Sequence, residues 1–265
     1  MYFIHQPINS KIGMRFLLFC LTTIFLFSPK LAEAQVTEGV IRYLVTQNWT
    51  KKMAAVDYIN KQQRDRMAYM WGSRSEWKTY ATLYFTPTET KYQDSEEKAE
   101  PDDEASYSWR KEVFIVKRNF ANNTEQDLLQ IDGKTYLIED TLQAPKWKIL
   151  NNLKEVAGHV CMNAFWQDTI KKQKVSAWFA LDMPLSAGPE RFFGLPGIIL
   201  ELDVNDGGMV ITADKIEAKK LTTELIAGKK VKSTPIKEAG YIALLKKHME
   251  EKRKAEDAPF WGIRY

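Results

Sequence analysis

Asp132-Gly133 separates two short runs, Glu125–Ile131 and Lys134–Glu139. An Asp-Gly pair supplies the positive φ that a type I′ turn needs at both central positions, so the flanking runs are read as an antiparallel hairpin. Asn205-Asp206-Gly207-Gly208 plays the same part between Ile198–Val204 and Met209–Ile216. Further strand-like runs are Glu38–Thr46, Ala81–Thr86 (stopped by Pro87), Tyr107–Phe120, Trp147–Leu150, His159–Trp166 and Val175–Leu181. Consecutive strands joined by short turns pair antiparallel. About eight of them in one chain curl into a strongly twisted open sheet or partial barrel.

Two segments change period. Across Thr50–Trp71, Met53, Val56, Ile59 (or Tyr58), Met67 and Met70 recur at near-helical spacing, with Thr50 as N-cap and Gly72 as the C′ residue. This predicts an early helix whose Met-rich face joins the core. Near the end, Thr234 is placed as a cap, Pro235 at the first helical position, and Ile236, Tyr241, Leu244, Leu245 and Met249 form an apolar stripe. The fold class is therefore α+β, mainly β: a curved antiparallel sheet or partial barrel with one early and one C-terminal helix, a helix lying across the concave face. Lys91–Ser106 is acidic and lacks the D-x-D-x-D-G calcium loop with its closing Glu, so it is read as a solvated loop. No Gly/Ser/Pro linker divides the chain, and residues 35–265 are read as a single domain.

Residues 1–34 are read as a secretory signal peptide. Lys11 and Arg15 form a basic start, Phe16–Phe27 is an apolar run, and Ala32-Glu33-Ala34 is a small-x-small cleavage pattern ahead of Gln35. Met14 is an alternative start. The run is shorter than the ~20 residues a spanning helix needs, so no permanent membrane anchor is expected after cleavage. Removing the leader leaves 35 basic against 33 acidic residues, a balance that gives no argument for nucleic acid as partner.

Cys161 is the single cysteine after the leader, so no internal disulfide forms. His159 and His248 are the remaining histidines, which leaves few ways to build a histidine metal site or a catalytic triad. No Gly-x-Ser-x-Gly elbow and no phosphate-cradling loop is present.

The most distinctive stretch is Asp182–Glu201. Gly188-Pro189 and Pro196-Gly197 set turns, Gly197 being read at the positive-φ position of a type II turn, with Leu195 held at the tip. Gly194-Leu195-Pro196-Gly197-Ile198-Ile199 resembles the signature of the GLPGLI family, exported proteins of Bacteroidetes. The likeness extends through Trp147, Gly158, Cys161, Trp178, Pro184, Gly188, Pro189 and Phe193, with Ile198 standing where the family name has Leu. The resemblance implies a periplasmic or cell-envelope location and no established activity. It designates no catalytic residue, metal ligand or cofactor.

The functional reading is a non-catalytic binding, carrier or interaction module whose partner is an apolar small molecule or another envelope protein. The abundant aromatic residues fit a cradle of this kind. Two alternatives stand beside it. One is a thiol-dependent enzyme using Cys161 with His159, which fall on one face of a strand at i and i+2. The other is metal handling by the same pair with nearby carboxylates.

Overall fold

A computed structural model describes residues 2, 36–70, 75–99, 112–226 and 231–265. Apart from Tyr2, the leader lies outside the described residues, as do Gly72, Tyr107–Trp109 and the acidic residues 100–106. In chain order the elements are β1 (Gly39–Asn48), α1 (Trp49–Ala54), α2 (Lys61–Met70), β2 (Glu76–Phe85), β3 (Glu89–Asp94), β4 (Ile115–Asn119), β5 (Thr124–Ile131), β6 (Lys134–Thr141), β7 (Lys148–Val156), β8 (His159–Asp168), β9 (Gln173–Ala180), β10 (Ile199–Val204), β11 (Met209–Ala218), β12 (Thr234–Ile236) and α3 (Glu238–Lys254).

Turn chemistry sets the connections. Asp132 (φ 48°) and Gly133 (φ 75°) join β5 to β6, and Asn205, Asp206 and Gly207, all at positive φ, join β10 to β11. Ala157 (φ 50°) and Gly158 (φ 84°) make a further tight turn between β7 and β8. The sheet order is β12-β6-β5-β4-β3-β2-β1-β11-β10-β9-β8-β7. Every neighbouring pair is antiparallel except β12 with β6.

This order forces curvature. Strands β6 and β7 are ten steps apart across the sheet, about 48 Å at the usual strand spacing. Yet only residues 142–147 connect them, and that span reaches at most about 25 Å. The sheet must bend until its two ends approach, giving an open, curved sheet.

The register decides what lines the inside. Tyr43 pairs with Ala81 and Ala213, and Leu83 with Tyr92. With Ile41, Val45, Ile211, Leu202 and Ala177, all buried, they make the inner face apolar around β1 and β9–β11. Continuing the register, Tyr92 opposes Val116, Val116 opposes Asp127, and Arg118 opposes Glu125. The inner face of β4 and β5 is thus lined by buried charges.

Three expectations change. The early helix is two helices. Asn48 rather than Thr50 caps α1, accepting from the Lys51 N–H at 2.9 Å. Asn60 and Gln63 form a reciprocal capping box that starts α2 afresh. Met53, Val56 and Ile59 are buried, whereas no residue of α2 is and Met70 is exposed. Next, Lys91–Asp94 belongs to β3 rather than a loop, with Tyr92 turned into the core. Lastly, Thr234 and Pro235 lie in β12, an edge strand that tolerates proline. Helix α3 begins at Glu238, whose N–H donates to Asp140 of β6 at 3.1 Å. The Thr141 N–H, and after it this bond, hold the Asp140 carboxyl below its ordinary range. No helix among the described residues is long and apolar enough to cross a membrane.

Candidate functional site

Between β9 and β10 the chain leaves the sheet and packs back against its inner face, forming a strap over residues 181–198. Its backbone is tied down at several points. Ile198 N–H donates to Met183 O (3.0 Å), Ile199 N–H to Ala187 O (2.9 Å), and the Tyr43 hydroxyl to Ile199 O (2.8 Å). Trp147 Nε1–H reaches Phe193 O at 2.8 Å, and Gly194 N–H reaches Ser186 Oγ at 3.0 Å. Leu195 is a buried plug rather than a displayed tip.

The motif glycines serve closeness more than turn type. Gly197 is not at positive φ. A Cβ there would fall on the Ala180 carbonyl oxygen, so the backbone approaches β9 as only glycine permits. Gly194 does take positive φ (96°), and a Cβ there would meet Ala144.

The strap delivers two charged side chains to the concave face. Arg191 donates from Nε to Asp127 (2.6 Å) and from Nη2 to Glu238 of α3 (2.7 Å). Arg118 forks onto both oxygens of the same Asp127. Glu190, at φ 56°, accepts from Arg264 in the C-terminal tail, and Arg264 also holds Asp94 through two bonds of 2.6 and 2.7 Å. Each guanidinium also covers an aromatic ring: Arg118 over Phe193, Arg191 over Tyr241, Arg264 over Phe114. Bidentate geometry and stacking are what make arginine suited to buried pairs. Burial pushes the Asp127 carboxyl up, but Arg118 and Arg191 outweigh it and hold it below its ordinary range. Burial opposes charge on Arg191 and Arg264 as well. Asp127 holds Arg191 well above its ordinary range, and Asp94 with Glu190 does the same for Arg264.

Glu125 is the exception. Its side chain is 3% exposed, and the Arg118 and Arg191 nitrogens stand at 3.7 and 3.6 Å, beyond hydrogen-bond reach. Its Oε1 and Arg118 Nε have no hydrogen-bond partner among the described residues. Burial raises the Glu125 carboxyl to about 7, against the pull of Arg118.

A cavity of about 330 Å³ opens beside this carboxyl. Phe114, Arg118 and Glu125 form one wall, Arg191–Phe193 of the strap a second, and Tyr241, Ile242 and Leu245 of α3 a third; Trp166 and residues 143–146 and 168–171 are on the rim. It lies at the low end of the size range of small-molecule pockets.

The residues singled out from sequence divide between this strap and the far edge of the sheet. Trp147, Gly188, Pro189, Gly194, Leu195, Pro196 and Gly197 shape the strap or its seat. Pro184 lies within its entry, and Gly158 holds the β7–β8 turn. Trp178 sits under Lys154 (4.4 Å to the ring), itself paired with Glu201. The structure does not bring Cys161 and His159 together as nucleophile and base. The Cys161 Sγ contacts the His159 carbonyl oxygen at 3.5 Å, while His159 Nδ1 turns to Asp182 at 2.8 Å. Burial, then Asp182, raises the thiol to about 11, the reverse of activation. Among the described residues no group of three or more His, Cys, Asp or Glu side chains is placed to hold a metal ion. The inner-face charges Arg118, Glu125, Asp127, Glu190, Arg191, Glu238 and Arg264 went unread in the sequence. The signal was there for three of them: Arg118, Glu125 and Asp127 occupy period-two positions with Val116, Leu129 and Ile131, all buried.

The chain is similar to solved structures of PNGF-II. In a C2 crystal form the identity is 11% and the TM-score 0.51, covering 78% of this chain and 32% of that one. A P21 form gives 12%, 0.49, 78% and 33%. An uncharacterized conserved protein from Thermus thermophilus is 5% identical, with a TM-score of 0.33, over 74% of this chain and 90% of that one. The chain thus spans about a third of PNGF-II's length, and at this identity the likeness shows the fold alone. No curated protein matches the sequence. Residues 55–201 match a family described as a protein of unknown function (Porph_ging). That match runs from the end of α1 through the strap and takes in Arg118, Glu125, Asp127 and Arg191. With more than half of its residues inside the match, the chain belongs to the Porph_ging family of proteins of unknown function.

Proposed function

We propose that this is an exported cell-envelope protein of GLPGLI type, cleaved near Ala34, whose domain from residue 35 onward binds and carries an apolar small molecule. The observation that carries the reading is the cavity of about 330 Å³ between strap, sheet and α3, walled by Phe114, Trp166, Phe192, Phe193 and Leu245. The aromatic and aliphatic part of the wall suits an apolar body, and charged residues such as Arg118, Glu125 and Arg191 line the rest. Inner-face ion pairs fix the strap and α3 as cavity walls, so the site is built before any ligand arrives. The leader's basic start, apolar run and small-x-small end support export.

Mass spectrometry of solvent extracts from the protein purified out of its native envelope tests the reading. A stoichiometric apolar compound is expected, lost in a Leu245→Trp variant that fills the cavity. Extracts free of any such compound, with no thermal shift across a panel of apolar compounds, would refute it. N-terminal sequencing of the purified protein checks the cleavage point.

A further inference from the structure

The charges around the cavity constrain what its occupant carries at its polar end. Arg118 and Arg191 are committed to Asp127, Arg191 also to Glu238, and Arg264 to Glu190 and Asp94. Lys171, on the rim, donates to the Arg264 carbonyl at 3.2 Å. A carboxylate head entering here would meet Glu125 and Glu190. An ammonium head would meet Arg118 and Arg191. Lys146 and Asp168 also line the cavity, but beside the paired Arg118, Arg191 and Glu190 either head would add an uncompensated charge, which is costly.

Among the described residues, two buried polar atoms on the cavity wall lack a hydrogen-bond partner, Glu125 Oε1 and Arg118 Nε. Glu125 and Arg118 face each other across the β4–β5 register. Buried groups of this kind call for a partner. We infer that the cavity takes an uncharged amphiphile, an apolar body ending in a hydroxyl or carboxamide, whose head pairs with Glu125 and Arg118. The hydroxyl accepts from Arg118 Nε–H and donates to Glu125. The aromatic walls hold the apolar body. This inference rests on the carrier reading above and adds the class of ligand to it.

The test uses three probes with one ten-carbon tail and different heads: 1-decanol, decanoate and decylammonium. Each is titrated into the purified protein at pH 7.5, binding being followed by calorimetry and by fluorescence of Trp166 and its neighbours. Saturable 1:1 binding of decanol is expected, with both charged probes at least tenfold weaker. Glu125→Gln, which keeps a donor and an acceptor, holds decanol affinity within about threefold, whereas Glu125→Leu weakens it about tenfold. Equal binding of the three probes, or tighter binding of a charged one, overturns the head-group assignment and leaves the carrier reading standing. Failure of all three to bind saturably overturns both.

Discussion

Glu125 gives the most direct physical test of the inner-face network. Its carboxyl is raised to about 7 in the folded protein, with burial as the main cause and the Arg118 charge opposing it. In the unfolded chain it titrates near its ordinary value of 4.5. A carboxyl that binds its proton more tightly when folded favours the native state at low pH. That advantage is complete below about 4.5 and is lost as pH rises through about 7. At about 1.4 kcal/mol per pH unit the full difference is about 3.5 kcal/mol, and screening through the cavity mouth reduces it to about 1–2 kcal/mol. Glu125→Gln removes the titration and keeps the shape. Urea unfolding of both proteins at half-unit intervals from pH 4 to 9 isolates the effect, because the other groups cancel in the difference. The variant should match the parent near pH 4.5 and exceed it by about 1–2 kcal/mol at pH 8. A difference that is flat with pH, or one of opposite sign, would refute the argument.

Asp127→Asn should destabilise the fold by about 3–5 kcal/mol, because it leaves Arg118 and Arg191 buried beside a neutral amide; thermal melts read this directly. Gly197→Ala forces a methyl group onto the Ala180 carbonyl oxygen and should cost at least as much as ordinary overpacking, about 1–3 kcal/mol, while an alanine at the exposed Lys148 leaves the melting temperature unchanged. Cys161, fully buried and with its thiol raised to about 11, should resist iodoacetamide until the protein unfolds; labelling of the native protein would contradict the described packing.

What could be read from sequence was what is settled locally. Asp132-Gly133 and Asn205–Gly208 announce their turns because positive φ is a property of those few residues. The Ala157-Gly158 turn adopts similar dihedrals but passes unnoticed, since alanine rarely enters the left-handed region. The early helical segment divides in two for a related reason. Its apolar spacing continues across Asn60, but a side chain that caps a new helix competes with continuing the old one. The candidate site is hidden by distance along the chain. Arg191 meets Asp127 across 64 positions, Arg264 meets Glu190 across 74 and Asp94 across 170. One by one, these charges look like residues of a solvated surface.

The motif itself then reads differently. Gly194, Leu195, Pro196 and Gly197 catch the eye because turn geometry and close packing restrict them to few residue types. They seat the strap against Ala144, Ala180 and the core. Glu190 and Arg191, lodged between Gly188-Pro189 and the Gly194-Leu195 pair, make the polar connections to β3 (through the Tyr92 hydroxyl), β5, α3 and the C-terminal tail. Without those two side chains, Asp127 would lose one guanidinium, Arg264 one carboxylate, and the cavity the wall that joins sheet to helix. The recognisable residues therefore place the strap, and the charged pair between them ties it to the sheet and to α3 as one wall of the cavity.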